Sequence, residues 1–240
     1  MSASTTRIGA LYRKELREYR RSGYILATMA VLPLGVLVFP VILVIALPAS
    51  AASMFQAGDP LIILLGIPAL MPSILAGYAV VGEREQGTLE PVLTTPISRE
   101  DLVLAKALAA LVPSLAIAYV MYTAFLLVTK LFAQPAVAAA VLQVPDVLVQ
   151  VLFTPLVALL TIWGSLAIST RANDVRVSMQ LGALAGLPVL LVAYLTTFGV
   201  IPATLALAIG IGVGLLVLDG LGWRLVSALF NRERLIASTR

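Results

Sequence analysis

Six apolar runs, at about 25–47, 61–81, 107–128, 148–168, 178–198 and 203–223, limit what this chain can fold into. Each approaches the roughly 20 residues an α-helix needs to cross the hydrocarbon core of a bilayer. The only charge inside them is Asp219, close to the end of the sixth. Pro33, Pro40, Pro68, Pro72, Pro113 and Pro188 fall in or at the ends of these runs. Proline breaks helices in water but is tolerated in membrane helices, where neighbours re-satisfy the freed backbone groups. The expected fold class is therefore an all-α polytopic membrane protein with six transmembrane helices.

Composition agrees. The chain is 60% apolar and only 12% charged, with a mean hydropathy of +1.04, whereas soluble domains carry about a quarter charged residues. Lipid must solvate part of such a surface. Cysteine and histidine are both absent, which excludes disulfides, thiol nucleophiles and the commonest general base. Ala49-Ser50-Ala51 resembles a signal-peptidase site, but the apolar run before it is longer than the roughly 7–15 residues of a signal core. A retained first span is expected.

Lysine and arginine set the expected orientation. With the N-terminus inside, the inner segments 1–24, 82–106, 169–177 and 224–240 hold six, three, two and four of them, and the outer loops hold only Lys130. The positive-inside rule then places both termini in the cytoplasm. The basic balance is a topology signal, and no nucleic-acid partner is expected. One inner segment departs from the pattern. Residues 82–106 carry Glu83, Glu85, Glu90, Glu100 and Asp101 against Arg84, Arg99 and Lys106. Topology gives no reason for acids there; a docking partner does.

The local code of that segment is readable. Gly87 suits a left-handed stop to the second span. Thr88 suits the cap of a short helix beginning Leu89-Glu90-Pro91, since proline is acceptable in a first turn. Thr95-Pro96 ends it. Ser98-Arg99-Glu100-Asp101 restarts a helix in the manner of a capping box. The segment reads as a short helix held between two turns.

The stretch GEREQGTLEPVLTTPISREDLVLAKAL resembles the cytoplasmic signature of type-2 ABC transporter permeases, in which an E-x-G-T-L-E block, a P-[IV]-S-R block and a lysine follow in order. Those positions are Glu85, Gly87, Thr88, Leu89, Glu90, Pro96, Ile97, Ser98, Arg99 and Lys106. The departure is Pro91, where a non-proline residue is usual. The resemblance implies that 1–240 is a single ABC-2 type transmembrane domain. It makes 82–106 the loop whose short coupling helix docks on an ATP-binding subunit, with Glu83 and Arg84 beside it. It further implies a second permease copy, identical or paralogous, a path beside the second and fifth spans, and location in a prokaryotic plasma (inner) membrane.

Residues 5–22 suit an amphipathic helix, with Ile8, Leu11, Tyr12, Leu16 and Tyr19 on one arc and Arg13, Lys14, Arg17, Arg20 and Arg21 opposite. Such a helix is expected in the inner headgroup layer. Glu15 sits inside the apolar arc and requires a cationic partner, expected from an ATPase or from the coupling helix. The run Lys14-Glu15-Leu16 also resembles the family's first helix, which packs beside the coupling helix.

Gly182-xxx-Gly186 and Gly210-x-Gly212-x-Gly214 permit close helix contact, within one subunit more readily than between two. Asp219 is expected to pair with Arg224 at the inner surface, and a short surface helix is expected within about 129–147. No G-x-x-x-x-G-K-[ST] loop is present, and none of the lysines Lys14, Lys106 and Lys130 follows a glycine. This chain is thus expected to be no enzyme by itself and to hold no cofactor, with ATP and Mg2+ in the partner ATPase. The leading expectation is the permease subunit of an ATP-driven exporter. A membrane scaffold recruiting a cytoplasmic partner is the alternative. A secondary transporter and an intramembrane hydrolase both lack the mid-membrane ionisable groups they would need.

Overall fold

The computed structural model describes residues 3–50, 52, 60–87, 97–197, 200–202 and 204–230, which contain helices and no β-strand. In chain order these are α1 (Ala3–Arg21), α2 (Gly23–Ala46), the single turn α3 (Pro60–Ile63), α4 (Gly66–Glu85), α5 (Arg99–Phe132), α6 (Pro135–Val141), α7 (Val144–Ser169), α8 (Val175–Ala183), α9 (Leu187–Thr197) and α10 (Leu205–Leu229). Six segments are long and apolar enough to cross a membrane: α2, α4, α5, α7, α8 with α9, and α10. The all-α polytopic expectation holds. The short helix expected after Gly87 lies outside the described residues, and with it Thr88, Leu89, Glu90 and Pro96.

Polar residues between the apolar runs start and stop the helices. The hydroxyl of Ser98 accepts from Asp101 N at 3.0 Å and opens α5, and Gly87 takes φ +67° just past α4; both follow the sequence reading. Asp174 opens α8 by accepting from Arg176 N at 2.7 Å and Val177 N at 3.1 Å, and Thr204 opens α10. With Glu100 and Asp101 in its first turn, α5 begins well before the apolar run it carries, as acids stabilise a helix N-terminus. Its 34 residues span roughly 50 Å, more than the roughly 30 Å hydrocarbon core, so one end projects from the membrane. The expected fifth span is two helices joined by a 3-10 turn at Leu184–Gly186. Pro188 has no N–H to bond back across that turn, which explains the break. The surface helix expected in 129–147 is α6, with Val137 and Val141 buried.

The bundle is built around α4, which packs on α7, α8, α5 and α2. Within its apolar window 89% of α4 is buried inside the protein, against 11% of α10. Yet α4 is the least apolar of the six. Lipid-facing helices must be apolar all round, whereas a central one needs small residues that let its neighbours approach. Accordingly α2 and α10 expose Val38, Phe39, Ile42, Ile209, Val213 and Leu216. A Cβ on Gly182 would stand 2.4 Å from Ser165 Oγ, and one on Gly186 2.5 Å from the Ala69 carbonyl oxygen. This glycine pair therefore serves packing within the chain.

Two expectations are corrected and one is extended. Nothing lies within 4 Å of a Cβ built on Gly210 or Gly214, and one on Gly212 meets only Phe153 at 3.9 Å, so this triplet, unlike Gly222 against Trp163, makes no close contact among the described residues. The expectation for α1 is extended: its apolar arc packs along α5, with Leu11 and Tyr19 buried in the same cluster as Leu75 and Val103. Asp219 does not pair with Arg224. It is 8% exposed, and neither carboxylate oxygen has a hydrogen-bond partner among the described residues. Residues five apart lie about 140° around a helix and do not face each other. The α10 face bearing Asp219 turns toward α7, where Trp163 and Trp223 meet edge-on with ring centroids 5.7 Å apart. Arg224 is exposed.

Replacing Gly186 by valine should destabilise the purified protein by about 1–3 kcal/mol through overpacking. Gly214→Val should stay within about 0.5 kcal/mol of wild type. Thermal unfolding in one detergent reads both.

Candidate functional site

The last turn of α4 ends Glu83-Arg84-Glu85. Successive residues of a helix point about 100° apart, so these three side chains reach three different neighbours. Their spacing makes the end of α4 a hub.

Glu83 turns inward and meets two ammonium groups. It pairs with Lys14 of α1, and its Oε2 lies 2.9 Å from Lys106 Nζ of α5. Lys106 is 1% exposed. Its Nζ also donates to Glu15 Oε1 at 2.7 Å and to the Ala79 carbonyl at 2.6 Å. An ammonium has three N–H donors; two are used in these hydrogen bonds, and Glu83 meets the same ammonium as an ion pair. Lys14 completes the ring, 3.1 Å from Glu18 Oε1 and 3.9 Å from Glu15 Oε1. Oxygens of Glu15, Glu18 and Glu83 come within 4.8 Å of one another, as in a metal site. Here the ammonium groups of Lys14 and Lys106 occupy the place of a cation.

The local sequence explains the placement. Glu15 lies one helical turn from Leu11 and from Tyr19, so burying that apolar arc against α5 buries the carboxylate as well. Lys106 lies among Ala105, Ala107, Ala109 and Ala110, all buried. Their small side chains let α1 and α4 approach. Burial pushes the Glu15 carboxyl above its ordinary value, against the pull of the Lys106 ammonium. Burial acts to lower Lys14, but the carboxylates of Glu83 and Glu15 outweigh it and hold that amine above its usual range. Burial also raises the Tyr19 hydroxyl well above its usual value. Each buried ion costs several kcal/mol in desolvation, offset only when it is fully partnered.

The partner expected for Glu15, on an ATPase or the coupling helix, is corrected: it is Lys106 of the same chain. The two are 91 residues apart. The one signal in the sequence was a lone lysine in an alanine-rich stretch at the start of a span.

Arg84 takes the second direction, donating to the carbonyls of Ala172 at 2.8 Å and Thr170 at 3.2 Å. These carbonyls follow the end of α7, where a helix leaves acceptors unpaired and favours a cation. Glu85 takes the third, accepting from Val175 N at 3.3 Å. Val175 opens α8, and an acid there complements the helix N-terminus. Behind the hub, Val80 N donates to Ser169 Oγ at 3.1 Å, and Thr161 Oγ1 donates to Ala69 O at 3.0 Å. These bonds tie α4 to α7. Gln86 donates to Tyr78, and Gly87 then turns the chain toward 88–96. Leu16 packs half-buried beside the cluster, while Ser98 and Arg99 lie exposed where the chain re-enters α5. The two ends of segment 88–96 thus join the two helices that Glu83 and Lys106 bridge.

Lys106→Met should cost about 3–5 kcal/mol, because it leaves Glu15 and Glu83 buried with too little positive charge. Adding Glu15→Leu should restore part of that loss. Thermal unfolding of the three proteins checks the pair, and equal loss in single and double variants would contradict it.

A family model described as ABC-2 family transporter protein matches residues 9–217, from within α1 to within α10. No curated protein matches the chain significantly.

Proposed function

Because the chain belongs to the ABC-2 family of transporter proteins, we propose that it forms the path of an exporter driven by a separate ATP-binding subunit. Membership makes it a multi-pass membrane permease subunit of an ABC transporter with an ATP-binding partner. The export direction, the docking site and the pairing of permeases are our reading.

The observation that carries the reading is the buried Lys106 ammonium, which joins α1, α4 and α5 around one point through two hydrogen bonds and an ion pair. The distribution of lysine and arginine supports placing this point on the cytoplasmic side of a prokaryotic plasma membrane. A push delivered to residues 88–96 enters α4 through Gly87 and α5 through Ser98. The Glu83 cluster makes α1 follow, and Arg84 and Glu85 hand the displacement to the α7–α8 connection. Bending or tilting of the bundle, rather than a local loop shift, is then the cheapest response. ATP and Mg2+ stay in the partner, and this chain's part is mechanical. The acidic balance of 82–106 supports docking on a basic surface of that partner. A second permease, identical or paralogous, completes the path.

The test is co-purification with the cognate ATP-binding subunit, followed by ATP hydrolysis in reconstituted vesicles. Glu85→Lys with Glu90→Lys should release the ATPase or uncouple its turnover, while membrane insertion stays normal. If association and turnover both survive, the docking role of this segment is wrong.

A further inference from the structure

At the end of the bundle away from the ion cluster, a cavity of about 340 Å3 opens between α7, α9 and α10, closed at its side by α3. It exists because the chain breaks at Leu184–Gly186. The break redirects α9 to pack on α3 and α4, without the extensive approach to α7 or α10 that other neighbouring helices make. The walls are apolar: Phe153, Val189, Ala193, Ala208 and Ile211.

Two polar groups on one face of α7 interrupt those walls. Asp146 and Gln150 are one helical turn apart and both line the cavity. Gln150 is 4% exposed, and its carboxamide makes no hydrogen bond among the described residues. The residue is buried but its carboxamide reaches the cavity, where it offers a donor and an acceptor that no described residue takes up. Asp146 is half-buried, and its carboxylate likewise has neither ion pair nor hydrogen bond among the described residues. No lysine or arginine lines the cavity. The hydroxyls of Thr196 and Thr204 also line it, the first donating to the Val192 carbonyl and the second accepting from Leu207 N, so the site offers one negative charge, one amide and an apolar body.

We propose that this cavity binds a monocationic amphiphile, with its ammonium held between Asp146 and Gln150 and its hydrocarbon body against Phe153, Ala193 and Ile211. The chemistry selects against the alternatives. An anionic amphiphile would face Asp146 uncompensated. A phospholipid with an ammonium headgroup would bring a phosphate to a cavity that has no cation to meet it. The volume lies at the small end of the roughly 300–1,000 Å3 usual for ligand pockets, which suits one hydrocarbon chain rather than two. Binding here goes beyond the transport reading and needs no ATPase, so each can fail without the other.

The experiment is equilibrium binding of radiolabelled decylammonium, whose ammonium carries three N–H donors, to the purified chain in phosphatidylcholine nanodiscs, with empty nanodiscs subtracted. Saturable binding is expected, displaced by unlabelled cation and not by decyl sulfate or decanol. Asp146→Asn should weaken it on the order of tenfold, Asp146→Glu should keep most of it, and Ala193→Trp should abolish it by filling the cavity. Asp146 is half-buried at a helix start, so unchanged far-UV helicity is expected in its variants. Gln150→Leu gives a second reading, with weaker binding and unchanged or raised thermal stability. Equal binding of decyl sulfate, unchanged affinity in Asp146→Asn, or only non-saturable partitioning would overturn the proposal. So would a stoichiometric phospholipid that the cation does not displace.

Discussion

A lysine ammonium sealed inside a membrane protein tolerates no partial arrangement. Lys106 donates to one carboxylate from α1 and to one carbonyl from the turn of α4 below, and is ion-paired with a carboxylate at the end of α4. Removing any of these contacts leaves charge uncompensated in a low-dielectric setting, so the three helices must keep their relative positions. The rest of this end of the bundle follows from that requirement. Alanines around Lys106 give the helices room to close, and α1 buries its apolar arc because Glu15 must reach inward. Arg84 and Glu85, adjacent on the same turn, extend the junction to α7 and α8.

Buried ion clusters are poor sources of stability, since desolvation cancels most of the Coulombic gain. Their use lies in geometry. Apolar helix faces slide past one another at small cost, whereas a set of directional, charge-assisted bonds fixes one register. In a protein that must transmit displacement from a short segment to whole helices, a fixed register is the useful property. The opposite end of the bundle is built differently, with α9 redirected at a broken turn and a cavity left between helices. One end is locked by charge, and the other is held open by backbone.

Much was legible in the residues. Charge-free apolar runs gave six spans because lipid admits little else, and Gly87, Ser98 and the α1 arc declared their local roles through chemistry that acts within a few residues. The misreadings concern the rotation of helices about their axes. Asp219 and Arg224 are near in sequence but point apart, and Gly210, Gly212 and Gly214 lack the close contact that their spacing invites. The pair Gly182 and Gly186, of similar composition, does find it against Ser165 and Ala69.

By itself the sequence determined the class of solvent, the number of crossings, the ends of most helices and the family signature. Each depends on local hydropathy, on caps or on a contiguous motif. Tertiary structure alone decided that Glu15 meets Lys106, that Glu83, Arg84 and Glu85 serve three separate helices or connections, and that Gln150 lines an apolar cavity. Those outcomes join residues up to 91 positions apart. They arise when helices choose their neighbours and their rotation together, under the demand that the buried ammonium of Lys106 be met by carboxylates.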